Sequence, residues 1–169
     1  HAGKTYTPDY SVEGTRMLIP LDESLVARGG VLEINLEWNF EIPEFGADRH
    51  GILEVDEGTI YQLAQWYPRM YVHDDVNGWN PLPYLGQGEY YLEYGTFNVN
   101  ITVPRDMIVG ATGTLLNPGE VLTRTQRRRL ERTRDSDGTV TIIGEDEVGD
   151  DDTRPEGEGP LTWRYRAEE

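Results

Sequence analysis

The sequence contains no cysteine. A disulfide framework and a thiolate metal site are therefore excluded, and cysteine usage says nothing about redox compartment. Lysine is almost absent: Lys4 stands alone and every other basic side chain is arginine. Histidine is limited to His1, His50 and His73, with no pair at i, i+4 and none followed by a suitably placed Glu, so the helical zinc-hydrolase pattern is missing. Serine occurs only as Ser11, Ser24 and Ser136, none with an evident His partner, which leaves a hydrolase triad unsupported. No apolar run approaches the roughly 18 residues of a membrane span, and the chain opens His1-Ala2-Gly3 with no signal-peptide pattern.

What is present is acid. The 169 residues carry 31 Asp and Glu against 15 Lys and Arg, a formal charge of −16. A field of that sign repels nucleic acid and anionic lipid. A highly soluble surface is the plain reading. Adaptation to high salt is the sharper one, although Arg-rich, Lys-poor usage also follows from a GC-rich genome. The length suits one domain with a core of its own, and 19 Gly with 10 Pro suit a chain of many turns.

Hydrophobic periodicity points to strands. Residues 1–14 are polar and read as a loose segment before a single domain, 15–169. Thr15–Leu21 reads as a short strand. Leu32, Ile34, Leu36, Trp38, Phe40 and Ile42 alternate with Glu33, Asn35, Glu37, Asn39 and Glu41, the strongest strand signal in the chain, ended by Pro43. Thr59–Trp66 is apolar without a clear period, Met70–His73 and Glu89–Tyr94 read as extended, and Asp74–Gln87 is a long turn region. Phe97, Val99, Ile101 and Val103 form a second clean alternation, with Met107–Leu116 expected as its antiparallel partner. Thr123–Arg134 is the one convincing helix; Thr139–Ile143 and Leu161–Arg166 read as further strands around an acidic, mobile hairpin loop. The pattern predicts an all-β fold, a β-sandwich of antiparallel sheets with one short peripheral helix. The alternation further places Leu32–Phe40 and Phe97–Val103 on one shared core.

Several local patterns have two readings. Asp74-Asp75-Val76-Asn77-Gly78 is similar to the start of a calcium loop but lacks the further oxygen ligands, so a turn closed by Asn77-Gly78 fits better. Arg127, Arg128 and Arg129 could face nucleic acid; against the net charge, and beside Glu131, a solvated helix face fits better. Glu145–Asp152 reads as a solvated charge run. Gly86-x-Gly88 and Gly110-x-x-Gly113 lack the strand–helix context of a phosphate loop.

The stretch Ala64–Pro118 carries QWYPRM, DDVNGW, PYLGQGEYYLEYG, FNVNITVP and VGATGTLLNP, and Thr162–Ala167 reads TWRYRA. In these pieces the chain resembles the amino-terminal domain of the aminopeptidase-N family of zinc metallopeptidases (peptidase family M-one), in its bacterial secreted form. The resemblance covers roughly residues 15–167. It departs at Tyr71–Asp75, where many members have a Pro-Cys-x-Asp-x-Pro turn. It implies a saddle-shaped, non-catalytic β domain that packs on a thermolysin-like catalytic domain and helps shape the substrate pocket. Zinc and its HExxH ligands would belong to that other domain, and neither HExxH nor GxMEN occurs here. A periplasmic or secreted location, a peptide substrate and no nucleic acid partner are implied as well. By position in the motif, Gln65, with Gln62 second, is implied at the pocket edge, where an amide oxygen can accept from the substrate's ammonium. The other reading of either Gln is a buried amide bonded to strand backbone. Trp66, Tyr67, Trp79, Tyr84, Tyr90 and Tyr91 are more aromatic rings than a small core needs, and are candidates for a domain interface.

A second function class fits the same composition: a stand-alone β-sandwich binding module, for instance for glycans, with Trp66, Trp79 and Tyr84 as a stacking platform.

Overall fold

Every strand pairing among the described residues is antiparallel, and each ladder is short. The computed structural model describes residues 5–45, 49–82, 91–149 and 153–168. In chain order the strands are β1 (Ser11–Glu13), β2 (Arg16–Leu18), β3 (Gly51–Val55), β4 (Gly58–Gln62), β5 (His73–Asp74), β6 (Gly78–Trp79), β7 (Phe97–Val103), β8 (Thr114–Leu115) and β9 (Leu161–Ala167). Two helices, α1 (Pro118–Val121) and α2 (Arg124–Arg132), lie between β8 and β9. The fold is mainly β, with one helix longer than a single turn among the described residues, as the periodicity predicts.

The chain divides into two units, 1–41 with 65–93 and 42–64 with 94–169. The first holds two small hairpins. β1 pairs with β2 through Val12 and Met17, so the loose segment expected up to residue 14 ends in a strand. β5 pairs with β6 across the Asn77-Gly78 turn, and Gly78 takes a φ of 69°, a left-handed conformation that Gly adopts without a Cβ penalty. Tyr71 forms an isolated bridge with Leu92.

The second unit contains the packed core. β9 is the middle strand of a three-stranded sheet, with β7 on one edge and β8 on the other. The β7–β9 register sets Val99 opposite Tyr165, Ile101 opposite Trp163 and Val103 opposite Leu161, so both alternations put their apolar residues on one face. Trp163 is 1% exposed and Val121 fully buried; Leu122, Leu161 and Tyr165 complete the cluster, with Val103, Val109, Leu115, Leu130, Ile142 and Ile143 packed around it. Burying side chains of this size is worth about 1.5–3 kcal/mol each. Pro118 opens α1 at a position where its missing N–H costs nothing. The β3–β4 hairpin in this unit pairs Leu53 with Ile60 and Ile52 with Tyr61.

Four expectations are corrected. The strongest alternation, Leu32–Ile42, belongs to no ladder among the described residues, and Leu32, Ile34, Leu36, Trp38 and Phe40 are 38–45% exposed, so they are not buried as the face of a core. Alternation fixes which side chains share a face but supplies no partner strand. Met107–Leu116 is not the partner of β7: only Thr114–Leu115 is a strand, and it pairs with β9. Gly110 and Gly113 break the run, and Gly113 (φ 98°) lies so close to Arg166 that a Cβ would sit 2.4 Å from its carbonyl oxygen. Thr139–Ile143 forms no strand; Ile142 and Ile143 instead pack on the core from a loop. Of Met70–His73 only His73 lies in a strand, at the start of β5, while the run Thr59–Trp66, which has no clear period, begins within β4 and leaves it after Gln62.

Candidate functional site

Gln65 follows β4 and precedes the Trp66-Tyr67-Pro68 turn. Its φ is +53°, and only Arg28 among other described non-glycine residues shares that left-handed region. An amide side chain pays for such a φ with of order 1 kcal/mol or more, and strain of this kind concentrates where a side chain must be aimed. The side chain is exposed, so the alternative of a buried amide tied to strand backbone does not hold here. Gln62 is the last residue of β4, opposite Gly51, and is exposed as well. The two glutamines fall in different units of the chain.

The aromatic candidates behave differently from one another. Trp66 stacks at 6.1 Å on Trp38 in a tilted pair and meets Tyr67 edge-on at 5.4 Å. Arg69 places its guanidinium 5.9 Å from the Tyr67 ring centre, a cation–π contact. Trp66 and Tyr67 are half-buried by these contacts, whereas Trp79 is 56% exposed and Tyr91 53%. Trp79 meets His73 edge-on at 5.0 Å, across the β5–β6 pair. Tyr84 and Tyr90 lie outside the described residues.

Beside these rings, Asp74 closes its own turn. One carboxylate oxygen accepts from Val76 N at 3.0 Å and Asn77 N at 2.6 Å; the other accepts from Tyr91 Oη at 3.0 Å. The Asn77 N–H first, with Tyr91 and Val76, holds the Asp74 carboxyl below its ordinary range, and the same bond raises the Tyr91 phenol. The oxygens that a calcium loop would aim at an ion are spent on backbone and on Tyr91, in keeping with a turn.

Among the described residues no three His, Asp or Glu side chains converge as a metal ligand set would. His50 and His73 fall in different units.

A second cluster, absent from the sequence expectations, lies in the other unit. Thr123 caps α2: its Oγ1 accepts from Gln126 N at 3.3 Å, and Gln126 Oε1 accepts in return from Thr123 N at 2.9 Å. Gln126 is fully buried, and its Nε2 donates to Glu147 Oε1 at 2.9 Å and to Thr153 O at 3.0 Å. Glu147 also accepts from Gly144 N at 2.8 Å and pairs with Arg129, which donates to Ile142 O as well. Arg129 and Glu147 thus depart from the solvated helix face and solvated charge run expected of them, while Arg128 is exposed. The T-x-x-Q spacing at Thr123 is a capping-box signal that could have flagged Gln126. Nothing in a run of acids distinguishes Glu147 from its neighbours. The cluster is structural: its hydrogen-bonding capacity is consumed in pinning the acidic loop to α2.

Comparison with protein-family models, with curated proteins and with solved structures found no match to this chain.

Proposed function

We propose that this chain is a non-catalytic domain of a zinc aminopeptidase of the aminopeptidase-N type, packing on the catalytic domain and lending Gln65 to the edge of the substrate pocket. The reading rests on the ordered motifs QWYPRM, DDVNGW and VGATG, which resemble that family. One structural observation supports it: Gln65 is exposed yet held at a φ of +53°, directly ahead of the aromatic turn. A side chain with no task at that position would be replaced at a gain by glycine. The amide oxygen could accept a hydrogen bond from a peptide's terminal ammonium without adding charge to an already acidic chain. Zinc, the peptide-bond hydrolysis and a periplasmic or secreted location belong to the proposed parent enzyme.

The experiment uses the protein encoded by the whole reading frame, assayed on aminoacyl-anilides. Gln65→Ala is expected to raise KM about tenfold with little change in kcat, the signature of lost uniform binding. Gln65→Glu should keep KM near the starting value. A reading frame without chelator-sensitive aminopeptidase activity overturns the proposal, and an unchanged KM in both variants removes Gln65 from the pocket.

The stand-alone glycan-binding alternative receives less support. A stacking platform needs open ring faces, and Trp66 is covered by Trp38 and edged by Tyr67.

A further inference from the structure

The segment Val31–Asn39 is strongly patterned and, among the described residues, in no ladder. Its apolar side chains are neither buried nor free: Leu32, Ile34, Leu36 and Trp38 each lose roughly half their surface, at 38–45% exposure, while the residues between them face solvent. A segment with this alternation and no ladder partner can offer its backbone N–H and C=O groups as the template on which another strand adds. The intervening face carries Glu33 and Glu37, with Glu41 next in the same row, and no basic residue falls between Arg28 and Arg49. Opposite charges facing one another across a ladder are favourable, and like charges are not.

We propose that Val31–Asn39 is a docking strand for an extended peptide segment with apolar residues at every second position and Lys or Arg between them. The register would set the partner's apolar residues beside Leu32, Ile34, Leu36 and Trp38, and its bases opposite Glu33 and Glu37. A second copy of this chain is the poorer occupant. An antiparallel or parallel pairing of the segment with itself brings its glutamates to one face, in a molecule already at −16. Among the described strands, the one with alternating arginines, β9 with Arg164 and Arg166, has both edges taken by β7 and β8. The proposal is independent of the aminopeptidase reading.

The test compares two synthetic peptides on the intact chain, one alternating Val with Lys and one alternating Val with Glu. Binding is followed by tryptophan fluorescence and by amide hydrogen exchange. The Lys peptide is expected to bind at least about tenfold tighter than the Glu peptide, as two cross-strand charge pairs, attractive in one case and repulsive in the other, allow. It should slow exchange at alternate amides of residues 32–38 and leave β7–β9 unchanged. The double variant Glu33→Lys, Glu37→Lys should reverse the preference. It changes only exposed side chains, and exchange protection in the β7–β9 sheet checks that it has folded. Equal binding of both peptides overturns the proposal. So does protection elsewhere, or self-association through this segment in sedimentation of the chain alone.

Discussion

Gln126 Nε2 donates to Glu147 Oε1 at 2.9 Å, joining this buried side chain in the first turn of α2 to the acidic loop 21 residues further on. The same side chain completes the helix cap, so one amide closes a local motif and anchors a distant one. Removing it should cost more than an ordinary cap. Gln126→Ala is expected to lower unfolding free energy by about 2–3 kcal/mol, the sum of a lost cap interaction and a carboxylate left short of a donor. Denaturant unfolding with an unchanged m-value would measure it, and a loss below about 0.5 kcal/mol would contradict the double role.

Glu147 gives the fold a pH dependence of known sign. Burial opposes its ionisation, but the Gly144 N–H, Arg129 and Gln126 together outweigh that and hold the carboxyl below its ordinary value. The folded-state pKa is thus lower than the unfolded one. The associated stability is present above the unfolded pKa and is lost as pH falls through the folded one. Melting temperatures from pH 7 down to pH 3 should fall less steeply in Glu147→Gln than in the parent chain.

Gly113 is required by space as well as by its φ. Gly113→Ala would drive a methyl group against the Arg166 carbonyl and force an alanine into the left-handed region. A loss of about 2 kcal/mol or more is expected, with faster amide exchange in β8 and its neighbour β9. Equal protection in both proteins would show that the strand pair accommodates a Cβ.

Gln65 offers a trade between stability and use. Gln65→Gly should stabilise the chain, or leave it unchanged, because relief of the left-handed φ offsets the added unfolded-state entropy of glycine; the net gain is up to about 1 kcal/mol. In the proposed parent enzyme the same change should weaken kcat/KM. A destabilised Gln65→Gly would show that the side chain is held for packing.

Salt should raise the melting temperature. With 31 acidic and 15 basic side chains, self-repulsion acts against the compact state, and ions screen it. A melting temperature that is flat or falling between 0.05 and about 2 M salt would count against this.

The parts of the fold that were legible in the sequence are those where a local pattern and its tertiary partner coincide. Phe97–Val103 alternates, is closed by Pro104, and finds in Leu161–Ala167 a strand of matching period. The helix at Arg124–Arg132 follows its own cap. Leu32–Ile42 shows the limit: its alternation is longer than that of β7, yet periodicity names a face and never the strand that will lie beside it. Met107–Leu116 fails for a different reason, since its glycines allow the chain to leave the ladder and return only at Thr114. The candidate site was legible as residues and not as geometry. Gln65 could be named from its motif, but its left-handed backbone depends on the turn that follows. The roles of Gln126 and Glu147 depend on a contact between segments that no spacing rule connects.

The sheet order β7-β9-β8 has a consequence for synthesis. The central strand is the last of the three to leave the ribosome, so β7 and β8 emerge as edges with nothing between them. Neither can bury its apolar face until Trp163 and Tyr165 arrive, and closing so long a loop delays the first stable pairing. During that interval the nascent chain exposes the alternating apolar rows of both β7 and Leu32–Ile42. Its dense negative charge then acts as a guard against self-association before the sheet exists.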